Sequence, residues 1–159
     1  MPKPIMPHIW FVDGAEEAMN YYTRVFPNSR VISIERYPDA SLDPHFAGMQ
    51  GKVISGIFEL NGQKFACLDG GKQGFALNEA ISFIVECKDQ AELDYYWERL
   101  SDGTSEQCGW CKDRFGVHWQ IIPENMAALQ MRPEQIQAMM GMKKIDIAAL
   151  EAAGENSGK

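Results

Sequence analysis

The sequence predicts an α+β protein: two tandem βαβββ modules forming a curved mixed sheet around a cleft, followed by helices. Three observations carry this. One order of elements occurs twice: a strand, a capped helix, further strands and a closing strand entered from a glycine turn. Details recur within that order. Asp13 ahead of Tyr21-Tyr22 is answered by Asp89 ahead of Tyr95-Tyr96, and Gly62-Gln63-Lys64-Phe65-Ala66 by Gly116-Val117-His118-Trp119-Gln120. Finally, Asn61-Gly62 lies between two β-forming runs, the strongest short hairpin signal. A repeat of half the chain is too long for a solenoid unit and suggests paired modules. The whole chain then makes one domain: module one over residues 5–69, a linker over 70–79, module two over 80–123, a helical extension over 124–153 and a frayed tail over 154–159.

The first strand is expected over residues 5–12, rich in β-formers at Ile9, Trp10, Phe11 and Val12. Asp13-Gly14 breaks it, and Asp13 can cap a helix over 15–26 whose Ala18, Tyr22, Val25 and Phe26 recur at helical spacing. Pro27-Asn28-Ser29 stops that helix. A strand over 30–37 leads into a loop over 38–51, long enough to suggest function or mobility, with a solvated His45. Strands over 52–60 and 63–68 flank Asn61-Gly62. Residues 69–74 superficially suggest a phosphate cradle, but lack the GxxxxGK[ST] pattern and no helix start follows, so they are a connector.

The pattern then restarts. A strand over 80–87 precedes a helix over 90–100, capped from Lys88-Asp89 and burying Leu93, Tyr96, Trp97 and Leu100. A turn at 102–105 and a short strand or loop over 107–112 lead to the segment around which the chain is organised. There, Asp113 to Gly116 reads as a turn, Val117, Trp119 and Ile121 fall on one side of a strand, and His118, Gln120 and Ile122 on the other. Pro123 ends its ladder. Helices are expected over 125–129, 133–140 and 145–153. Trp10, Trp97 and Trp119 fit the helix-facing core.

Hydrophobic residues make up 45% of 159 residues, which suits a globular protein, and the net charge of −7 argues against a nucleic-acid surface. No apolar run is long enough to span a bilayer, and no apolar signal core follows Met1-Pro2-Lys3-Pro4, so a cytoplasmic protein is expected. Of the four cysteines, Cys67 and Cys87 sit in apolar runs. Cys108 and Cys111 have CxxC spacing, but no second ligand pair completes a zinc site, and the pair precedes a turn rather than opening a helix.

Several stretches carry a family resemblance: residues 10–22, 80–85, 95–97 and 108–110, Asp113 to Gly116 with Trp119-Gln120, and residues 142–150. Together they resemble the vicinal-oxygen-chelate superfamily (glyoxalase I, extradiol dioxygenases, bleomycin-resistance proteins). The nearer resemblance is to its PhnB-like branch, labelled 3-demethylubiquinone-9 3-methyltransferase-like. The resemblance implies a divalent metal held by His, Gln or Glu from the first and last strand of each module. Carried over, those positions fall on Pro7, beside His8, then on Ala66, on Ser82 (or Ala80 with a slip of two) and on Gln120. Pro, Ala and Ser are not ligands of that kind, so no built-in metal is expected. The fallback is an unusual set drawn from His8, His118, Gln120 and Asp69. Methyl transfer is argued against too, because no glycine-rich strand-to-helix turn of a doubly wound sheet is present.

What remains is a cleft walled by Ile9, Phe11, Ala66, Ser82, Ile84, His118 and Gln120, with Trp110 at its mouth, suited to a small organic ligand. Three roles follow. The first is a metal-free small-molecule binding protein. The second is an isomerase, lyase or oxygenase using His118 as a general base or a recruited divalent metal. The third is association, with Met126, Met131, Met139, Met140 and Met142 covering a neighbouring subunit; a homodimer is expected.

Overall fold

The computed structural model describes residues 1–39, 41 and 43–156. The chain divides into two compact units, Met1–Ala76 and Leu77–Lys159. Each is built on a βαβββ module with its own four-stranded mixed sheet. In the first, β1 (His8–Phe11), α1 (Ala15–Val25), β2 (Arg30–Arg36), β3 (Val53–Leu60) and β4 (Gln63–Asp69) give the sheet order β1-β4-β3-β2. In the second, β5 (Phe83–Cys87), α2 (Gln90–Leu100), β6 (Glu106–Gln107), β7 (Trp110–Lys112) and β8 (His118–Pro123) give β5-β8-β7-β6. The outer pair β1·β4 is parallel and so is β5·β8, while the remaining neighbours are antiparallel. The repeat seen in the sequence is thus a repeat of topology.

Each helix covers one face of its own sheet. α1 buries Ala18, Met19, Tyr22 and Val25, and Tyr22 stacks on Phe58, which stacks in turn on Phe65. α2 runs over the expected residues, starts under a bond from Glu92 N to the Asp89 carboxylate, and buries Leu93, Tyr96, Trp97 and Leu100. The β3–β4 hairpin turns at Asn61 (φ 45°) and Gly62 (φ 92°), the pair of left-handed residues that a two-residue primed turn requires.

Some boundaries differ from the sequence expectation. α1 is not capped by Asp13, whose carboxylate accepts from Gly14 N and pairs with Lys52 Nζ at 3.3 Å. The free amide of Ala15 donates instead to Asp69 Oδ1 at 2.8 Å, because Asp69 stands beside the end of β1, opposite Phe11. β5 starts at Phe83 rather than at residue 80. Its ladder with β8 starts at the pair Phe83 and Trp119, and residues 80 and 81 stand level with residues 116 and 117, ahead of β8. The segment expected as a short strand or loop is the β6–β7 hairpin, with Cys108 (φ 51°) and Gly109 (φ 85°) as its turn. The extension comprises α3 (Met126–Leu129), α4 (Pro133–Met140) and α5 (Ile147–Glu155). It docks on that turn: Cys108 N donates to Met142 O and Gly109 N to Lys143 O. α5 starts two residues late because Asp146 takes the cap position, accepting from Ala149 N at 3.0 Å. Ile145 and Leu150, both fully buried, then fill the staple positions around that cap. The expected frayed tail is helical at Gly154 and Glu155; residues 157–159 of it lie outside the described residues, as do residues 40 and 42 of the expected loop. The remainder of that loop contains a single 3-10 turn, Pro44–Phe46, with an exposed His45 bonded to Asp43.

Candidate functional site

Strand register decides which side chains can share a surface. In the first module Ile9 and Phe11 stand beside Cys67 and Asp69 and point toward α1, while His8 and Trp10 stand beside Ala66 and Leu68 on the opposite, open face. Ile9 and Phe11 are therefore core residues and share no face with Ala66. Trp10 belongs to the open face rather than to the helix-facing core. Its Nε1 donates to Gly71 O at 3.0 Å and its ring meets Phe75 edge-on at 5.2 Å. Alternation along a strand places Ile9 and Trp10 on opposite faces but does not say which face the helix takes. Trp97 and Trp119 are buried on the α2 side, as expected.

The same register tests the metal positions that the resemblance implied. Across from Ala66 stands His8, not Pro7, and across from Gln120 stands Ile84, not Ser82. Each module thus offers one nitrogen or oxygen donor beside an Ala or Ile that offers none. Asp69 is no substitute. It is only 3% exposed, its two oxygens accept from Ala15 N and from Val53 N at 2.9 Å, and it points to the face opposite His8. Among the described residues no group of three His, Cys, Asp or Glu side chains is placed to hold a metal ion. The donor set does not fit a built-in divalent ion.

The second module gathers more. Trp119 and Ile121 point toward α2, and His118, Gln120 and Ile122 lie on the open face. Gln120 is flanked by Ile84 on β5, 57% exposed, and by Trp110 on β7, 37% exposed. His118 is flanked on β7 by Lys112. Gln120 Nε2 donates to Ser82 Oγ at 2.9 Å, which leaves Oε1 as an acceptor and the Ser82 hydroxyl as a donor. His118 is only 7% exposed, with Nε2 4.0 Å from Glu79 Oε2. Five of the residues singled out from the sequence, Ser82, Ile84, Trp110, His118 and Gln120, thus share one face. Lys112 and Glu79 were missed. Lys112 is two residues from Trp110, so its side was readable from the alternation; Glu79 precedes the strand, where no periodicity applies.

A turn held by a buried carboxylate delivers β8 to this place. Asp113, 2% exposed, accepts from Phe115 N at 2.8 Å, from Val117 N at 3.0 Å and from Trp119 Nε1 at 2.8 Å. Chemically the face offers an aromatic ring, an aliphatic side chain, an amide and an imidazole, a set that suits a flat organic molecule with a polar edge. Another concavity, about 580 Å³, lies among α3, α4 and α5, lined by Leu129, Met131, Arg132 and Glu151 among others. Its buried polar side chain, Gln135, is already committed: Nε2 donates to Leu150 O and Oε1 accepts from Arg132 N.

Residues 3–122 match the protein family described as 3-demethylubiquinone-9 3-methyltransferase. A solved structure from Bacillus cereus, described by the same methyltransferase name and as a PhnB protein, is 33% identical, covering 76% of this chain and 98% of its own, with a TM-score of 0.64. A Pseudomonas aeruginosa structure is 16% identical over 77% of this chain and 97% of its own, with a TM-score of 0.58, a likeness of fold alone. No curated protein matches the sequence.

Proposed function

We infer that this chain, which belongs to the PhnB-like 3-demethylubiquinone-9 3-methyltransferase family, binds a small organic molecule on the open face of its second module and does so without a metal of its own. The observation that carries this is the convergence of Trp110, Gln120, Ser82 and His118 on one face, with Gln120 already oriented by Ser82. The methyl transfer in the family name is not the activity we propose. Gly70, Gly71 and Gly74 follow β4 and lead into β5 without an intervening helix, so no glycine turn opens a helix to cradle a methyl donor. A second reading, an isomerase, lyase or oxygenase with His118 as general base, is favoured by one contact, the Glu79 carboxylate near the imidazole. We further propose a cytoplasmic homodimer whose contact uses the methionines of the extension; Met131 and Met140 are exposed. No helix among the described residues is long and apolar enough to cross a membrane.

The test is a panel of small aromatic compounds read by thermal shift, paired with elemental analysis of protein purified without a histidine tag. Hits should bind with no added metal and lose about tenfold or more in affinity in Gln120→Ala and Trp110→Ala. A near-stoichiometric ion, lost in Gln120→Ala, would overturn the metal-free reading. Turnover abolished in His118→Ala with binding retained would establish the enzymatic one. Sedimentation as a concentration-independent monomer would end the dimer proposal.

A further inference from the structure

His118 poses a small puzzle. It lies on the face of its sheet that α2 does not cover, yet it is buried, whereas Ile84 on the same face is well exposed. The segment that precedes β5 reaches this end of the sheet. Three contacts run along β8 and the turn before it. Leu77 lies against Gly116, its side chain 3.7 Å from where a Cβ would stand; Glu79 reaches His118; Ser82 accepts from Gln120. Residue 116, in the turn before β8, and residues 118 and 120 of β8 thus meet residues 77, 79 and 82. None of these contacts is a backbone ladder bond, since pairing of β5 with β8 begins at Phe83 and Trp119. Residues 72–81 are exposed throughout, and the internal bond in the covering stretch, Ala80 N to Asn78 Oδ1, is local.

We propose that residues 77–82 form a strap over the N-terminal half of β8, held by side chains alone, with Glu79 and Leu77 as its latch and Ser82 as its hinge. The strap opens as a unit and uncovers the His118 imidazole while the sheet stays intact. Side-chain contacts at an exposed edge cost far less to break than a ladder, so this opening occupies the low-stability end of the fold. The proposal rests on the reading of this face as a binding face: a ligand that contacts His118 must displace the strap, whereas Trp110 and Ile84 are accessible beforehand. Glu79 is then a positioning residue for the closed state.

The test needs no ligand. The chain has three histidines, and the other two, His8 and His45, are exposed. Modification by diethylpyrocarbonate near neutral pH, followed peptide by peptide, reports the accessibility of each imidazole. In the unaltered protein His118 should react at least about tenfold more slowly than His45. Glu79→Gln combined with Leu77→Ala should speed His118 by about fivefold or more, with His8 and His45 unchanged as internal controls of the fold. Ser82→Ala, a surface change, should speed it less, since the hinge is next to the ladder. Equal rates for His118 and His45 in the unaltered protein, or a His118 rate unmoved by both variants, would overturn the strap. Failure of the binding face is distinguishable: the strap would still open in this assay, while panel compounds would bind Gln120→Ala and Trp110→Ala as well as the unaltered chain.

Discussion

Replacing Asp113 with Asn tests how β8 is delivered to the candidate face. Asn keeps one acceptor oxygen for Phe115 N and Val117 N, now without charge, and turns an NH2 group toward the indole N–H of Trp119. Losing one hydrogen bond to a charged acceptor costs about 1.5–3 kcal/mol, and a buried N–H left unsatisfied costs about 1–3 kcal/mol. Asp113→Asn should therefore destabilise the protein by about 3–5 kcal/mol. Trp119→Phe removes the donor but keeps a ring, and should cost about 2–3 kcal/mol, since it strands a buried carboxylate oxygen. The double variant sets a CH edge against the Asn amide and should fall short of the sum by about 1–3 kcal/mol. Urea unfolding followed by far-ultraviolet circular dichroism measures all four proteins without relying on tryptophan emission. Hydrogen exchange at the His118 and Gln120 amides should quicken in Asp113→Asn. A destabilisation below about 0.5 kcal/mol, or strict additivity, would refute the argument that this carboxylate organises the turn.

Gly70→Ala should cost about 1–3 kcal/mol and alter tryptophan emission, because a Cβ at Gly70 would clash with the Trp10 indole; unchanged stability would mean the linker gives way freely. Burial pushes the thiols of Cys67, Cys87 and Cys111 up to about 12, so a thiol reagent at pH 8 should titrate one cysteine of the native protein, Cys108, and all four after denaturation. Glu16 is held below its usual pKa by the Arg36 hydrogen bond, and Asp94 by bonds from Gln90 and Lys144. Their stabilisation is present above the unfolded carboxylate range of about 4 and is lost as pH falls through the lower folded values. Both are partly exposed, so the deficits of Glu16→Gln and Asp94→Asn should each stay below about 1 kcal/mol at pH 7 and vanish in denaturant titrations once the pH has fallen below the lowered folded values.

Most elements could be read from the chain because their causes are local. Asn61-Gly62 turns where it does because those two residues accept a positive φ at little cost. α2 runs from Gln90 to Leu100 because Asp89 caps it and its apolar residues repeat at helical spacing. Along β8 the alternation placed His118 and Gln120 opposite Trp119 and Ile121, and four of the five predicted residues that share the second module's open face lie on β8 or within two residues of β5. What needed the tertiary structure was everything set by a partner distant in sequence. Alternation could not tell which side of β1 meets α1, and the packing of Cys67 and Phe58 decided for Ile9 and Phe11 over Trp10. Local signals pointed to Asp13 as the cap of α1, but the amide went to Asp69, 54 residues away, because a parallel strand brought that carboxylate alongside. A one-residue difference in register moved the implied metal position from Pro7 to His8. The approach of Leu77 to Gly116 and of Glu79 to His118 has no periodic signature, because contacts made by side chains alone impose no repeat on the sequence.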